Sequence, residues 1–73
     1  MKTIPAMPKW YDEQGQIVSC TEKIKVMQQN MQELYEMAQE AFEDGLLMGC
    51  REDQLRQYLA SLMAALENPY QQD

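Results

Sequence analysis

The dominant pattern in this chain is an apolar residue at every third or fourth position between Ser19 and Gly49. This spacing places the apolar side chains on one face of an α-helix and is sustained over about four heptads, as in a coiled coil. It predicts a long helix over residues 20–48, and this stretch contains no proline. The apolar seam consists of Cys20, Ile24, Met27, Met31, Leu34, Ala38, Ala41, Gly45 and Met48.

Local signals mark both ends of this helix. Ser19, with Glu22 three residues later, matches a capping box, in which the two side chains accept hydrogen bonds from backbone N–H groups of the first turn. Gly49 suits the left-handed position that follows many helices. A helix of this span would be about 43 Å long.

A second, shorter amphipathic pattern follows over residues 51–67. Acids at Glu52 and Asp53 suit a first turn because the helix dipole favours negative charge there. Asn68-Pro69 ends the helix, since the residue before proline is excluded from the helical conformation. The short Gly49-Cys50 connection makes the two helices antiparallel neighbours, so we expect an all-α helical hairpin. The apolar face of the second helix consists of Leu55, Tyr58, Leu59, Leu62, Met63 and Leu66.

Pairing the helices outward from their turn places large residues of the second helix against small residues of the first. The expected neighbours are Leu55 with Gly45, Leu59 with Ala41, Leu62 with Ala38 and Leu66 with Leu34. The second helix ends near Leu34, so no helix of the same chain covers the seam over residues 20–31.

Residues 1–18 precede the helices. Two prolines in residues 1–8 predict a flexible, extended arm. In residues 9–18, Asp12-Glu13-Gln14-Gly15 is typical of a type I turn with a left-handed glycine and a G1 bulge. We expect a small β-hairpin or an extended arm here, and such a hairpin is stable only when it lies against a helix. Residues 69–73 should fray, and the 73 residues should form a single small domain.

The sequence allows two ways of covering the apolar seam over residues 20–31. The N-terminal hairpin could lay Trp10, Tyr11 and Ile17 on them, or a second chain could do so. An antiparallel dimer would again set large residues against small ones, and Lys23 and Lys25 of one chain would come beside Glu43 and Asp44 of the other. We therefore expect an antiparallel homodimer that forms a four-helix bundle. Its expected partner or dimer interface consists of Trp10, Tyr11, Ile24, Met27, Met31 and Leu34.

Charge is distributed unevenly along the chain, whose net charge is −6. Residues 1–25 contain four lysines and three acids, whereas residues 26–73 contain two arginines and nine acids. An acidic body disfavours nucleic acid and anionic membranes, which bind cationic surfaces. No apolar run approaches the roughly 18 residues of a membrane span, and the N-terminus lacks the apolar region of a secretory signal. We expect a cytoplasmic protein without nucleic-acid or membrane partners.

The residue types argue against catalysis. Histidine is absent, which removes the usual general base and the commonest transition-metal ligand. No glycine-rich phosphate loop is present, so we expect neither enzymatic activity nor a cofactor. A carboxylate stripe on the first helix resembles the donor sets of metal-binding bundles, but we interpret it as a solvated face and expect no metal site. The same stripe could imitate nucleic acid toward a basic partner. It consists of Glu33, Glu36, Glu40 and Glu43.

Two cysteines are too few for a disulfide framework and indicate reduced thiols. Cys20 and Cys50 fall at the predicted first turns of the two helices, where N–H dipoles lower the pKa of a thiol. Nearby acids oppose this effect, and a free cysteine often serves as small apolar filler. A straight first helix would hold the two thiols of one chain about 40 Å apart, far beyond the reach of a disulfide.

The sequence thus predicts a small, non-enzymatic helical interaction or regulatory protein that acts through self-association and an apolar, Met-rich surface. Seven methionines suit an adaptable surface, although methionines at helical spacing also fill ordinary cores. The alternative is a thiol-based redox or sensor protein that uses Cys20 and Cys50.

Overall fold

The structure of the protein, a computed structural model, describes residues 4–70 and contains two α-helices. Helix α1 runs over Thr21–Leu47 (27 residues) and helix α2 over Glu52–Ala64 (13 residues). The predicted all-α class is confirmed, and the order helix–turn–helix agrees with the predicted helical hairpin. The chain divides into two compact units, residues 1–37 and residues 38–73, and the boundary between them falls within α1.

Helix α1 begins one residue later than predicted, with Cys20 rather than Ser19 in the position before it. The carbonyl oxygen of Cys20 accepts the N–H of Ile24 at 3.0 Å, which is the hydrogen bond expected of an N-cap residue. The predicted capping box at Ser19 and Glu22 is therefore wrong. Ser19 lies one residue too early for its side chain to reach the first turn, and in the described part of the chain its hydroxyl makes no hydrogen bond.

The end of α1 follows the prediction closely. Gly49 has a positive φ of 91°, which an L side chain rarely adopts. Its N–H donates to the Leu46 carbonyl at 3.0 Å, and the Cys50 N–H donates to the Gly45 carbonyl at 2.9 Å. This pair of bonds is a Schellman motif, and it stops α1 at Leu47.

Gly45, in the unit of residues 38–73, is the one buried residue among residues 4–70. The predicted pairing of Gly45 with Leu55 is confirmed, because a Cβ on Gly45 would lie only 2.6 and 2.9 Å from the two Leu55 methyl carbons. The Arg56 guanidinium lies 4.7 Å from the centre of the Phe42 ring and binds Glu52 at 2.9 Å. The contacts of Leu55 with Gly45 and of Arg56 with Phe42 join α2 to the C-terminal half of α1, whereas the Arg56–Glu52 pair lies within α2.

Helix α2 ends at Ala64, three residues before its predicted end. The Ala65 N–H still donates to the carbonyls of Ser61 and Leu62, at 3.0 and 3.2 Å, and the Leu66 N–H donates to the Met63 carbonyl at 3.3 Å. The helix does not continue beyond this turn. Leu66 is 76% exposed, so its burial contributes little to the stability of an additional turn. Asn68 instead accepts the Tyr70 N–H at 2.9 Å and forms the turn around Pro69.

In the unit of residues 1–37, a tight turn precedes α1. The Asp12 carboxylate accepts the N–H groups of Gln14 and Gln16, both at 2.9 Å, and Gly15 has a φ of 79°. A single antiparallel bridge joins Tyr11 and Ile17. Residues 4–70 contain no strand, so the structure contains the predicted turn without the two strands of a β-hairpin. Pairing of so few residues is below what sustains a ribbon in water.

Residues 4–8 have no regular secondary structure and lie beside Ile24, Gln28 and Gln32 of α1. Ile4 and Met7 are half-buried there. The remainder of the predicted arm, residues 1–3, and residues 71–73 of the predicted frayed tail lie outside the described residues.

Between Met31 and Gly45, the half-buried face of α1 differs from the predicted seam at two positions. Leu34, at 43% exposure, and Ala41 lie outside this face, and Tyr35 and Phe42 replace them. Ala38 and Gly45 of the predicted seam do lie on this face, so over this range the observed face and the predicted seam have the same mean spacing and differ only at these two positions. The apolar residues of this face are Ile24, Met27, Met31, Tyr35, Ala38 and Phe42, followed by the buried Gly45.

We predict that Gly45→Ala leaves the free energy of unfolding unchanged or lowers it. Alanine normally stabilises a helix by about 1 kcal/mol relative to glycine. Here the added methyl group overlaps the Leu55 methyls, and overpacking costs about 1–3 kcal/mol. Urea denaturation followed by circular dichroism measures the difference.

Leu55→Ala provides the matched background for this test, because it removes the methyl groups that overlap. In that background Gly45→Ala should stabilise the protein by about 1 kcal/mol. A gain of the same size in the wild-type background would contradict the close contact between the helices.

Candidate functional site

An open apolar groove lies in the unit of residues 1–37, between the N-terminal segment and the first two turns of α1. It encloses about 620 Å³. Two exposed charged residues, Glu22 and Lys23, border a lining that is otherwise apolar. The apolar lining residues are Trp10, Tyr11, Val18, Ile24, Val26 and Met27.

The structure brings four of the six residues predicted as an interface together in this groove. Trp10 and Tyr11 come from the segment before the turn, and Ile24 and Met27 come from α1. Met31 is half-buried one turn further along α1, and Leu34 is exposed on a neighbouring face. Neither of these two residues lines the groove.

Val18 and Val26 also line the groove, and the pattern of apolar spacing did not identify them. Val26 lies one residue before Met27 and therefore off the predicted seam. Val18 lies outside the helix, where helical spacing carries no information. Its N–H donates to the Trp10 carbonyl at 2.8 Å, so the turn chemistry at Asp12 and Gly15 was the signal that could have placed it beside Trp10.

Trp10 is the only tryptophan of the chain, and it is half-buried in the wall of the groove. Its indole nitrogen Nε1 is inaccessible to solvent and has no hydrogen-bond partner. A buried donor without a partner costs about 1–3 kcal/mol. The indole therefore contributes apolar surface to the groove and offers no donor to an occupant. Neighbouring Tyr11 is 61% exposed.

Cys20 is a free, exposed thiol at the start of α1. Hydrogen bonding from the backbone N–H of Lys23 lowers the pKa of this thiol, and the backbone N–H of Glu22 and the Lys23 charge act in the same direction. Partial desolvation opposes the shift without cancelling it. The thiolate is therefore favoured by the N–H groups that point out of the helix end.

Cys50 is also free and exposed, but it does not lie in a first helical turn. Helix α2 begins at Glu52, and Arg51 takes the N-cap position without a capping side-chain hydrogen bond. The predicted placement of Cys50 in the first turn is therefore wrong by two residues. Instead the N–H of Cys50 closes the turn that ends α1.

Three of the four glutamates in the carboxylate stripe of α1 accept hydrogen bonds along the helix surface. Gln29, Gln32 and Gln39 each donate from Nε2 to the glutamate four residues later, at 3.3, 3.0 and 2.8 Å. Within residues 4–70, no three side chains of the metal-binding types are grouped so as to hold a metal ion.

A second groove of about 510 Å³ lies on the surface of α2, between Cys50 and Ser61. Glutamines form part of its lining, and the Ser61 hydroxyl donates to the Tyr58 carbonyl at 2.7 Å. This groove is therefore more polar than the first, and its hydroxyl group is already engaged within the helix.

Neither helix of the described residues combines the length and the apolar character required to cross a membrane. Comparisons of the chain with protein-family models, with curated proteins and with solved structures find no match.

We predict that the Cys20 thiol titrates below the same thiol in the unfolded chain, because the amides of the first turn stabilise its charged form. The rate of alkylation by iodoacetamide, measured against pH in a Cys50→Ser variant, reports this pKa. The Cys20 thiolate therefore stabilises the folded chain at pH values above the pKa of this thiol in the unfolded chain. This contribution is lost as the pH falls through the pKa of the thiol in the folded chain.

Lys23→Gln serves as the control for the titration. The backbone N–H of residue 23 remains in this variant, so most of the shift should persist. A native Cys20 that titrates at or above the value in urea would contradict the placement of its sulfur at the helix end.

Proposed function

We propose that this chain works as a small, non-enzymatic interaction or regulatory protein that self-associates through an apolar, Met-rich surface. The observation that carries the proposal is the absence of a buried hydrophobic side chain in residues 4–70. Large apolar side chains are instead half-buried or exposed along both helices. A chain of this size buries only about 60% of its unfolded surface, and a partner is one of the usual ways to complete it.

The distribution of charge along α1 supports a second copy of the chain as the partner. Lys23 and Lys25 lie near the N-terminus of the helix, whereas Glu43 and Asp44 lie near its C-terminus, and the last turn contains no basic residue. Each pair occupies the end that the helix dipole disfavours. An antiparallel neighbour would bring opposite charges together at both ends and offset this arrangement.

In the proposed assembly, the helical pairs of two chains form a four-helix bundle. The groove at Trp10, Tyr11, Ile24 and Met27 provides part of the contact, and Met31 and Leu34 extend it along α1. Contact with a partner would also favour the formation of a two-stranded β-hairpin by residues 9–18. The bridge between Tyr11 and Ile17 already supplies one residue pair of this hairpin. We place the protein in the cytoplasm, where free thiols such as Cys20 and Cys50 stay reduced.

Sedimentation equilibrium over a wide range of protein concentration tests the proposal. We expect a mass that rises from the 8.6 kDa of one chain to twice that value. Burial of the exposed apolar side chains drives this association. A mass of one chain up to millimolar concentration would contradict it.

A thiol-based redox or sensor protein is the second candidate, favoured by the exposure and lowered pKa of Cys20. Two thiols and one molecule of hydrogen peroxide would yield one disulfide and two molecules of water. In an antiparallel pair, Cys20 of one copy and Cys50 of the other would be the bonded thiols.

Peroxide treatment followed by electrophoresis without reductant separates the two candidates. The redox candidate predicts a disulfide-linked dimer that is lost in both Cys20→Ser and Cys50→Ser. A wild-type chain that stays monomeric in the gel, while its native mass is that of a dimer, would leave self-association as the function and eliminate the thiol chemistry.

A further inference from the structure

The groove at the start of α1 has a mainly apolar lining with its two charged residues at the edge, which suits an apolar protein surface. Its volume of about 620 Å³ falls within the range of ligand sites, but such sites also contain a few polar groups that fix orientation. Here Trp10 Nε1 is inaccessible, and only Glu22 and Lys23 offer charge at the edge. An occupant should therefore be apolar and carry a charge beside its apolar part.

Lys23 determines the sign of that charge. The two ion pairs within residues 4–70 both involve arginines at α2, so Lys23 has no carboxylate partner in the described part of the chain. Lys25 is also exposed nearby in the sequence and likewise belongs to neither pair. Glu22 lies in the first turn, where the helix dipole already stabilises its charge. The groove thus favours an occupant with a carboxylate.

The unit of residues 38–73 presents such a surface at the end of α1. Leu47 and Met48 are 86% and 76% exposed, directly before the turn that Gly49 forms. Asp44 lies one turn earlier and makes no side-chain hydrogen bond or ion pair within residues 4–70. Neighbouring Glu43 already accepts a hydrogen bond from Gln39, which leaves Asp44 as the more available carboxylate.

We infer that the groove of one copy receives Leu47 and Met48 of a second copy, with Lys23 of the first paired with Asp44 of the second. This inference rests on the proposed self-association and specifies its contact. The two surfaces are complementary in apolar character and in charge. Each copy carries both surfaces, so a two-fold pair makes the contact twice.

Charge reversal with rescue tests the pairing of Lys23 with Asp44. Lys23→Glu and Asp44→Lys should each weaken self-association about tenfold or more, because each sets like charges opposite one another twice in a symmetric pair. An equimolar mixture of the two variants should regain wild-type affinity, because both contacts in the mixed pair then join opposite charges. Sedimentation gives the affinity, and far-UV circular dichroism checks that each variant keeps its helices.

Polar replacement tests the apolar part of the contact. Leu47→Gln combined with Met48→Gln should weaken association to a similar degree. Leu66→Gln is the matched control, because Leu66 is 76% exposed, as Met48 is, but lies beyond α2. The fluorescence of Trp10, the single tryptophan, should shift to shorter wavelength on association, since the occupant removes water from its groove.

The outcomes distinguish this inference from the broader proposal. A wild-type chain that is monomeric at all concentrations overturns both. A stable dimer that neither charge variant weakens, or whose mixture shows no rescue, overturns the contact and leaves self-association standing. Equal weakening by Leu66→Gln, or a dimer whose Trp10 emission does not change, also overturns the contact, because another face then forms the interface.

Discussion

The constraint on which this structure depends is the length of the apolar face of α1 relative to the cover that the chain supplies. Over residues 4–37 the cover is a short arm and a tight turn, and over residues 38–70 it is a helix of 13 residues. Neither encloses an apolar side chain fully, and Gly45 is the one residue of the described chain that becomes buried. Apolar burial is the main favourable term in folding, so this face accounts for both the fold and the proposed need for a partner.

Several features could be predicted from the sequence because they depend on the conformational preferences of individual residues. Gly49 adopts the left-handed conformation expected of a helix end, and Gly15 does so in the turn that Asp12 stabilises. The contact between Gly45 and Leu55 followed from the direct connection of two amphipathic helices, since the turn at Gly49 fixes their register. Each of these features depends on residues close in sequence or on one short connection, so a sequence pattern is sufficient to predict it.

Features that depend on competition between neighbouring residues for the same structural position could not be predicted in this way. Ser19 and Glu22 matched a capping box, but the helix starts one residue later and Cys20 takes the cap position. The heptad pattern favoured Leu34, whereas the covered face of α1 passes through the neighbouring Tyr35 and then returns to the predicted position at Ala38. The groove brings together residues of an irregular segment and a helix, so only part of its lining was visible as a periodic pattern.

The unequal distribution of charge along the chain favours one orientation of a partner on the apolar surfaces, namely the antiparallel one. Hydrophobic contact alone does not select a partner or a register, whereas opposite charges beside it do. The lysines near the start of α1 and the acids near its end therefore support the proposal that the partner is a second copy of the chain. In this account, folding and association draw on the same apolar face, so stability and self-association are coupled.

Thermal unfolding at several protein concentrations tests this coupling most directly. If association completes the cover of α1, the midpoint of unfolding followed by circular dichroism should rise steadily with protein concentration, because binding stabilises only the folded chain. A midpoint that is the same across a hundredfold range of concentration would contradict the account and show that a single chain supplies all the cover that its long helix requires.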